Sequence, residues 1–202
     1  MNWDRLFDDL EGQLAAEWEA ERAVRDAESE RLRIARLTTL DRLRALCVGD
    51  AAVVIDLGDG RRVSGVVRTV GADWLAVEEP RAAPSLPGCI HLLPLHAVHG
   101  VGTDHGALLR SLDDAPSGTP SLHARATFGF VLRDLARRRV AVHLSTNASG
   151  EVLGTIDRAG ADHLDIAIHD AGAPRTARAV RGLRVVPFAA VVGVRVVADQ
   201  IR

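Results

Sequence analysis

The sequence predicts a mostly β chain with helices. An N-terminal amphipathic acidic helix comes first, then two tandem five-stranded small barrels, each preceded by a short α-helix. Three observations carry this. Apolar residues near the start recur at three- and four-residue steps, the period of one helix face. A long segment is then written twice, 89 residues apart. Within each copy, short runs rich in valine and isoleucine are separated by glycine-containing turns, the mark of strands.

The helix is read from Trp3, Leu6, Phe7, Leu10, Leu14 and Trp18, which form one stripe, with Asp4, Asp8, Asp9, Glu11, Glu17, Glu19 and Glu21 around the rest. Beyond Glu19 the stripe thins to Ala20, Ala23, Val24 and Ala27, which predicts a solvated continuation. Residues 1–31 hold ten acidic and four basic side chains, a local charge of −6 against −2 for the whole chain. The stripe is the candidate partner-binding surface. It has three uses: seating in another protein's groove, packing on the chain's own barrels, or self-association as a short coiled coil.

The repeat comes from laying residues 35–77 over 124–166. Ala35, Arg36, Thr38, Leu43, Arg44 and Leu46 fall on identical residues, as do Ala52, Val53, Val63, Gly65, Gly71, Ala72, Asp73 and Leu75. With four more residues in the second copy, "PLHAVHGV" (94–101) lies over "PFAAVVGV" (187–194). Each copy predicts a helix capped by Thr38 or Thr127, then strands at 52–57 and 140–145. A second strand passes through Gly65 or Gly154, a "GAD" turn follows, and three more short strands complete the set. Glycine inside the second strand fits a sharp bend. The domain reading is therefore 1–34 helix, 35–101 first barrel, 102–122 linker and 123–202 second barrel.

Composition narrows the function classes. The chain is 47% hydrophobic and 26% charged, as an ordinary globular protein is. Its 25 basic residues are all arginine, a usage that resembles high-GC bacterial coding. A net charge of −2 gives no overall field for nucleic acid or anionic membrane. Cys47 and Cys89 are too few for a disulfide framework and predict a reducing, cytoplasmic setting. The start lacks an apolar leader, and no run of 18 apolar residues occurs, so no membrane association is expected.

The helix-then-five-strand pattern resembles the Sm-like superfamily. "LARRRVAVHLS" with "GEVLGTIDRAGADHLDIAI" is similar to its bacterial host-factor branch, Hfq, and "LHAVHGV" resembles that branch's closing motif at His96, Ala97 and Val98. The likeness covers about 35–101 and 124–197. It implies small barrels that pair the last strand of one with the fourth of the next, in rings, many of which bind RNA. Two units in one chain would halve the number of chains, giving for example a three-chain ring, or would close on each other. The chain departs from the family's RNA pocket: Trp74 and His163 stand at the aromatic position, Leu95 replaces the basic residue, and His96 becomes Ala189. RNA binding at a pore is therefore not expected.

Arg133, Arg137, Arg138 and Arg139 are the candidate nucleic-acid contacts, because the resemblance places a basic run there on an outer rim and guanidinium groups neutralise phosphates. The same run also suits a solvated helix end, where cations meet the dipole. Trp74 joins the candidates: exposed it would stack a base, buried it would fill a barrel end. Its alternation with Ala76 and Glu78 puts it on the polar face. His91, His96 and His99 lack the spacing and companions of a metal set. No nucleophile, paired carboxylate or phosphate-cradling loop emerges. The expectation is a non-enzymatic assembly or protein-interaction module, with a protein partner or self-association, no cofactor, no metal and no small-molecule substrate. The alternative is an RNA-binding protein using the second barrel's basic rim.

Overall fold

Alternating apolar positions make ten strands in the computed structural model, which describes residues 3–81, 83, 88–113, 122–148, 150–170 and 175–197, with the backbone alone for 3–10. Helix α1 spans Trp3–Arg36 and α2 Thr39–Val48. Strands β1 (Ala52–Leu57), β2 (Arg62–Val70), β3 (Trp74–Glu79), β4 (Cys89–Pro94) and β5 (Val98–Thr103) follow. Next come α3 (His105–Arg110), α4 (Leu122–Arg125) and α5 (Phe128–Arg138). Strands β6 (Ala141–Thr146), β7 (Gly150–Ala159), β8 (His163–Ile168), β9 (Gly182–Pro187) and β10 (Val191–Val197) end the chain's regular structure.

The chain divides into two compact units, Met1–Thr39 and Leu40–Arg202. The first is built on α1, whose charged surface is laced by pairs one turn apart, Arg25 with Glu21 at 2.8 Å and Arg33 with Glu30 at 2.6 Å. Such pairs add only a few tenths of a kcal/mol each. None of the described residues from Glu11 to Arg36 is buried.

In the second unit all ten strands join one sheet, in the order β5-β1-β2-β3-β4-β10-β6-β7-β8-β9. Every neighbouring pair is antiparallel. This corrects the expected architecture: the fold is a mixed helix-and-strand structure with one open ten-stranded sheet, not two closed five-stranded barrels. The physical reason lies at β4. Closing the first half on itself would pair β4 with β5, but β4 is taken instead by β10, with Leu92 opposite Val194 and Ile90 opposite Val196.

That junction also interlocks two cores. Leu43, Leu46, Val53, Ile55, Val67 and Val77 centre one cluster, and Val192 of β10 reaches into it. Leu132, Leu144, Ile156, Leu164 and Ile166 centre the other, which takes in Trp74, Ala76 and Leu92 from the first half. The two leading helices seat the cores. Thr127 caps α5 by accepting the Phe130 N–H at 3.3 Å, and Phe128, Leu132 and Leu135 point inward. Both helices end on a left-handed residue, Asp50 (φ 46°) after α2 and Arg139 (φ 54°) after α5. Those two positions are 89 residues apart, as are the bent-strand glycines.

Residues 102–122, read as a linker, contribute Gly102 and Thr103 to β5 and then α3, capped by Asp104, with Ala107 buried in the first core. Residues 114–121 lie outside the described residues.

Gly65 and Gly154 show why the bend needs glycine. A Cβ at Gly65 would stand 2.1 Å from the Glu78 carbonyl oxygen, and one at Gly154 2.2 Å from that of Ala167. Both obstacles are backbone of the neighbouring strand and cannot swing aside. Gly65→Ala and Gly154→Ala should each destabilise the second unit by about 3 kcal/mol, read as a lowered urea midpoint with an unchanged slope.

Candidate interaction surfaces

The basic helix end carries its own counter-ion. Asp134 accepts from Arg137 at 2.6 Å and from Arg138 at 2.8 Å, one turn apart on α5. The Arg137 bond, ahead of both guanidinium charges, holds the Asp134 carboxyl below its ordinary range. Arg133 donates to the Gly160 carbonyl at 3.2 Å. Arg139 ends the helix in the left-handed conformation, its N–H returned to the helix carbonyls. The sequence run of arginines therefore exists, but Asp134 sits within it as a counter-ion.

Trp74 is buried, at 6% exposure. The expected alternation fails because both faces of β3 are covered at its start: Leu75 and Val77 lie in one core, Trp74 and Ala76 in the other. Its indole packs over Gly71, and its Nε1–H donates to the Ala126 carbonyl at 2.9 Å. The same turn binds the second half twice more. Ala72 N–H donates to Ala126 at 3.0 Å, and the Asp73 carboxylate accepts the first amide of α5, Phe128 N–H, at 2.6 Å. Trp74 is thus a buried link between the halves.

The three histidines diverge. His91 lies 3.1 Å from Glu79 on β4, His96 reaches the Val191 carbonyl at 3.1 Å, and His99 stands against Gly58. Among the described residues, no group of three or more His, Cys, Asp or Glu is placed to hold a metal ion. Burial raises the Cys47 thiol above its usual range, with Asp50 adding to it. Among the described residues, no helix is long and apolar enough to cross a membrane.

On α1, Leu14 and Trp18 are exposed. The side chains of Trp3, Leu6, Phe7 and Leu10, the rest of the candidate docking stripe, lie outside the described residues.

One surface was not singled out from sequence. Among the described residues, β5 and β9 each have a single sheet neighbour, so they form the two edges of the sheet. On β9, Leu183 is 71% and Val185 65% exposed. The signal was there in outline: "GLRVVP" occupies in its copy the place of "CIHLLP". Which of the two would be covered was not readable, because that depends on strand pairing.

A polar cluster crosses the middle of the sheet, where Arg195 lies 3.0 Å from His143 and 3.5 Å from Glu151. Burial, then the Arg195 charge, pushes the His143 imidazole below its ordinary value of 6.5. No protein family, curated protein or solved structure matched the chain on comparison.

Two outcomes follow from these charges. The fold favours neutral His143, so its contribution is complete above pH 6.5 and is lost as pH falls below it. Thermal melts from pH 8 to about 5 should show His143→Gln flattening that decline. Releasing the arginines by Asp134→Asn should raise affinity for a polyanion such as heparin several-fold, measured by salt elution, with little change in stability because the pairs are solvent-screened.

Proposed function

We propose that the chain is a non-enzymatic assembly module that binds protein through the edges of its sheet. One observation carries this reading: β9 presents Leu183 and Val185, both well exposed, on a strand whose outer main-chain groups lack a sheet partner among the described residues. Such an edge is a template for strand addition, where main-chain bonds give affinity and alternate side chains give selectivity. In a protein that stays single, apolar edges of this kind are blunted by charge or cover.

The two halves are read as copies of one unit with the strand succession of the Sm-like superfamily. The left-handed residues Asp50 and Arg139 and the bend glycines Gly65 and Gly154 support this, each pair keeping the same 89-residue offset. The expected site at Arg137, Arg138 and Arg139 fits less well, since Asp134 pairs with two of the three arginines and offsets one of their charges.

The test immobilises the full chain and washes bound material from a cell extract at low and high salt. Protein held through high salt and lost with Leu183→Glu/Val185→Glu is the expected result. Nucleic acid held at low salt, stripped at high salt and lost with Arg137→Ala/Arg138→Ala/Arg139→Ala would overturn it, since phosphate contacts are steeply salt-dependent.

A further inference from the structure

Beyond the sheet edges, we infer that the apolar stripe of α1 is covered by α1 of a second copy, running antiparallel to it in a two-fold dimer.

The stripe is bare along the described length of the helix. α1 holds 34 residues, and none of the described ones from Glu11 to Arg36 is buried. Leu14 is 54%, Trp18 61% and Val24 69% exposed. In water a helix draws most of its stability from packing such a face, and a row of apolar groups along one helix is what a partner helix covers.

Charge decides which helix fits and which way it runs. Residues 3–20 carry six acidic side chains and one arginine, whereas residues 21–36 carry five arginines and four acidic side chains. Most acids of the second stretch are bonded within it: Glu21 to Arg25 at 2.8 Å, Glu28 to Arg31 at 3.5 Å and Glu30 to Arg33 at 2.6 Å. Among the described residues, Glu17 and Glu19 in the first stretch and Arg22 and Arg36 in the second have no ion-pair partner. A parallel pair would set one acidic stretch against the other. An antiparallel pair sets each acidic stretch beside the arginine-bearing stretch of the other copy, and it opposes the two helix dipoles. The helix therefore carries both halves of its own complement, which is what a two-fold interface requires.

Size agrees with charge. The bulky Leu14 and Trp18 lie in the first stretch, while Ala23, Val24 and Ala27 in the second are small. An open recess of about 460 Å³ lies on the helix over Ala20, Glu21, Val24 and Arg25. When two antiparallel helices lie flush at their ends, Leu14 of one copy arrives level with Val24 and Arg25 of the other. Trp18 arrives level with Ala20 and Glu21. The recess thus sits where the two bulky side chains arrive, large against small as in a packed core.

The experiment takes the purified full-length chain and measures mass by light scattering on a sizing column over rising concentration. A dimer is expected. Leu14→Glu/Trp18→Glu should leave only monomer, with the urea midpoint of the second unit unchanged as proof of folding. Leu183→Glu/Val185→Glu should leave the dimer intact, so the edge-binding reading stands or falls on its own. Orientation is read by disulfide formation under mild oxidation, in chains that also carry Cys47→Ser and Cys89→Ser. Leu14→Cys mixed with Val24→Cys should cross-link between the two more readily than either does with its own kind. A wild-type monomer at every concentration, or a dimer that survives Leu14→Glu/Trp18→Glu, would overturn the inference. So would Leu14→Cys chains that join one another as readily as they join Val24→Cys, the mark of a parallel pair.

Discussion

The pairing of β4 with β10 is the interaction on which the rest of the second unit depends. It converts two half-sheets into one, and it decides which apolar residues belong to which core. With β10 alongside, Leu92 and Ile90 pack with Val194 and Val196 on one side, and Val192 faces the other core. Neither half's core is complete alone, because Trp74, Ala76 and Leu92 are needed by the second and Val192 by the first. A unit whose cores share members in this way unfolds as one cooperative body, since opening either half exposes apolar surface in both.

Local structure was legible because it depends on local chemistry. Alternation along β1, Thr127 before α5, and the glycines of the bend each act over a few residues, and the elements lie where those signals put them. What was not legible is a choice between equal partners. Because the copies are similar, β4 could close on β5 or accept β10, and no residue pattern separates the two. The same ambiguity hid the exposed edge: Leu183 and Val185 read like Ile90 and Leu92 until the neighbours are known. Trp74 failed for a related reason. Period-two alternation reports a strand with one wet face, and β3 has none at its start. The arginine run was seen, but the effect of Asp134 within it depends on helical geometry, one turn back toward the N-terminus.

Acidic side chains neighbour several of the surface arginines. Arg68 bridges Asp50 and Glu78, Arg62 pairs with Asp56, and Arg175 with Asp157. Exposed pairs of this kind add little stability, but they offset part of the arginine charge. Long-range attraction of a polyanion needs a single-signed field. On β9 the exposed side chains include the apolar Leu183 and Val185.

The differences between the halves show what anchors the internal joint. At the internal joint the first half supplies an indole N–H to Ala126 at 2.9 Å and an imidazole to the Val191 carbonyl at 3.1 Å. The corresponding residues at the outer edge are His163, engaged with its own Asp162 at 2.8 Å, and Ala189, which has no side-chain donor. The β9 edge therefore lacks counterparts of the tryptophan anchor and the histidine bond. Each missing hydrogen bond is worth about 1 kcal/mol, and the lost aromatic burial adds to that. The internal joint is permanent because it is covalently tethered and doubly anchored. The β9 edge has neither anchor.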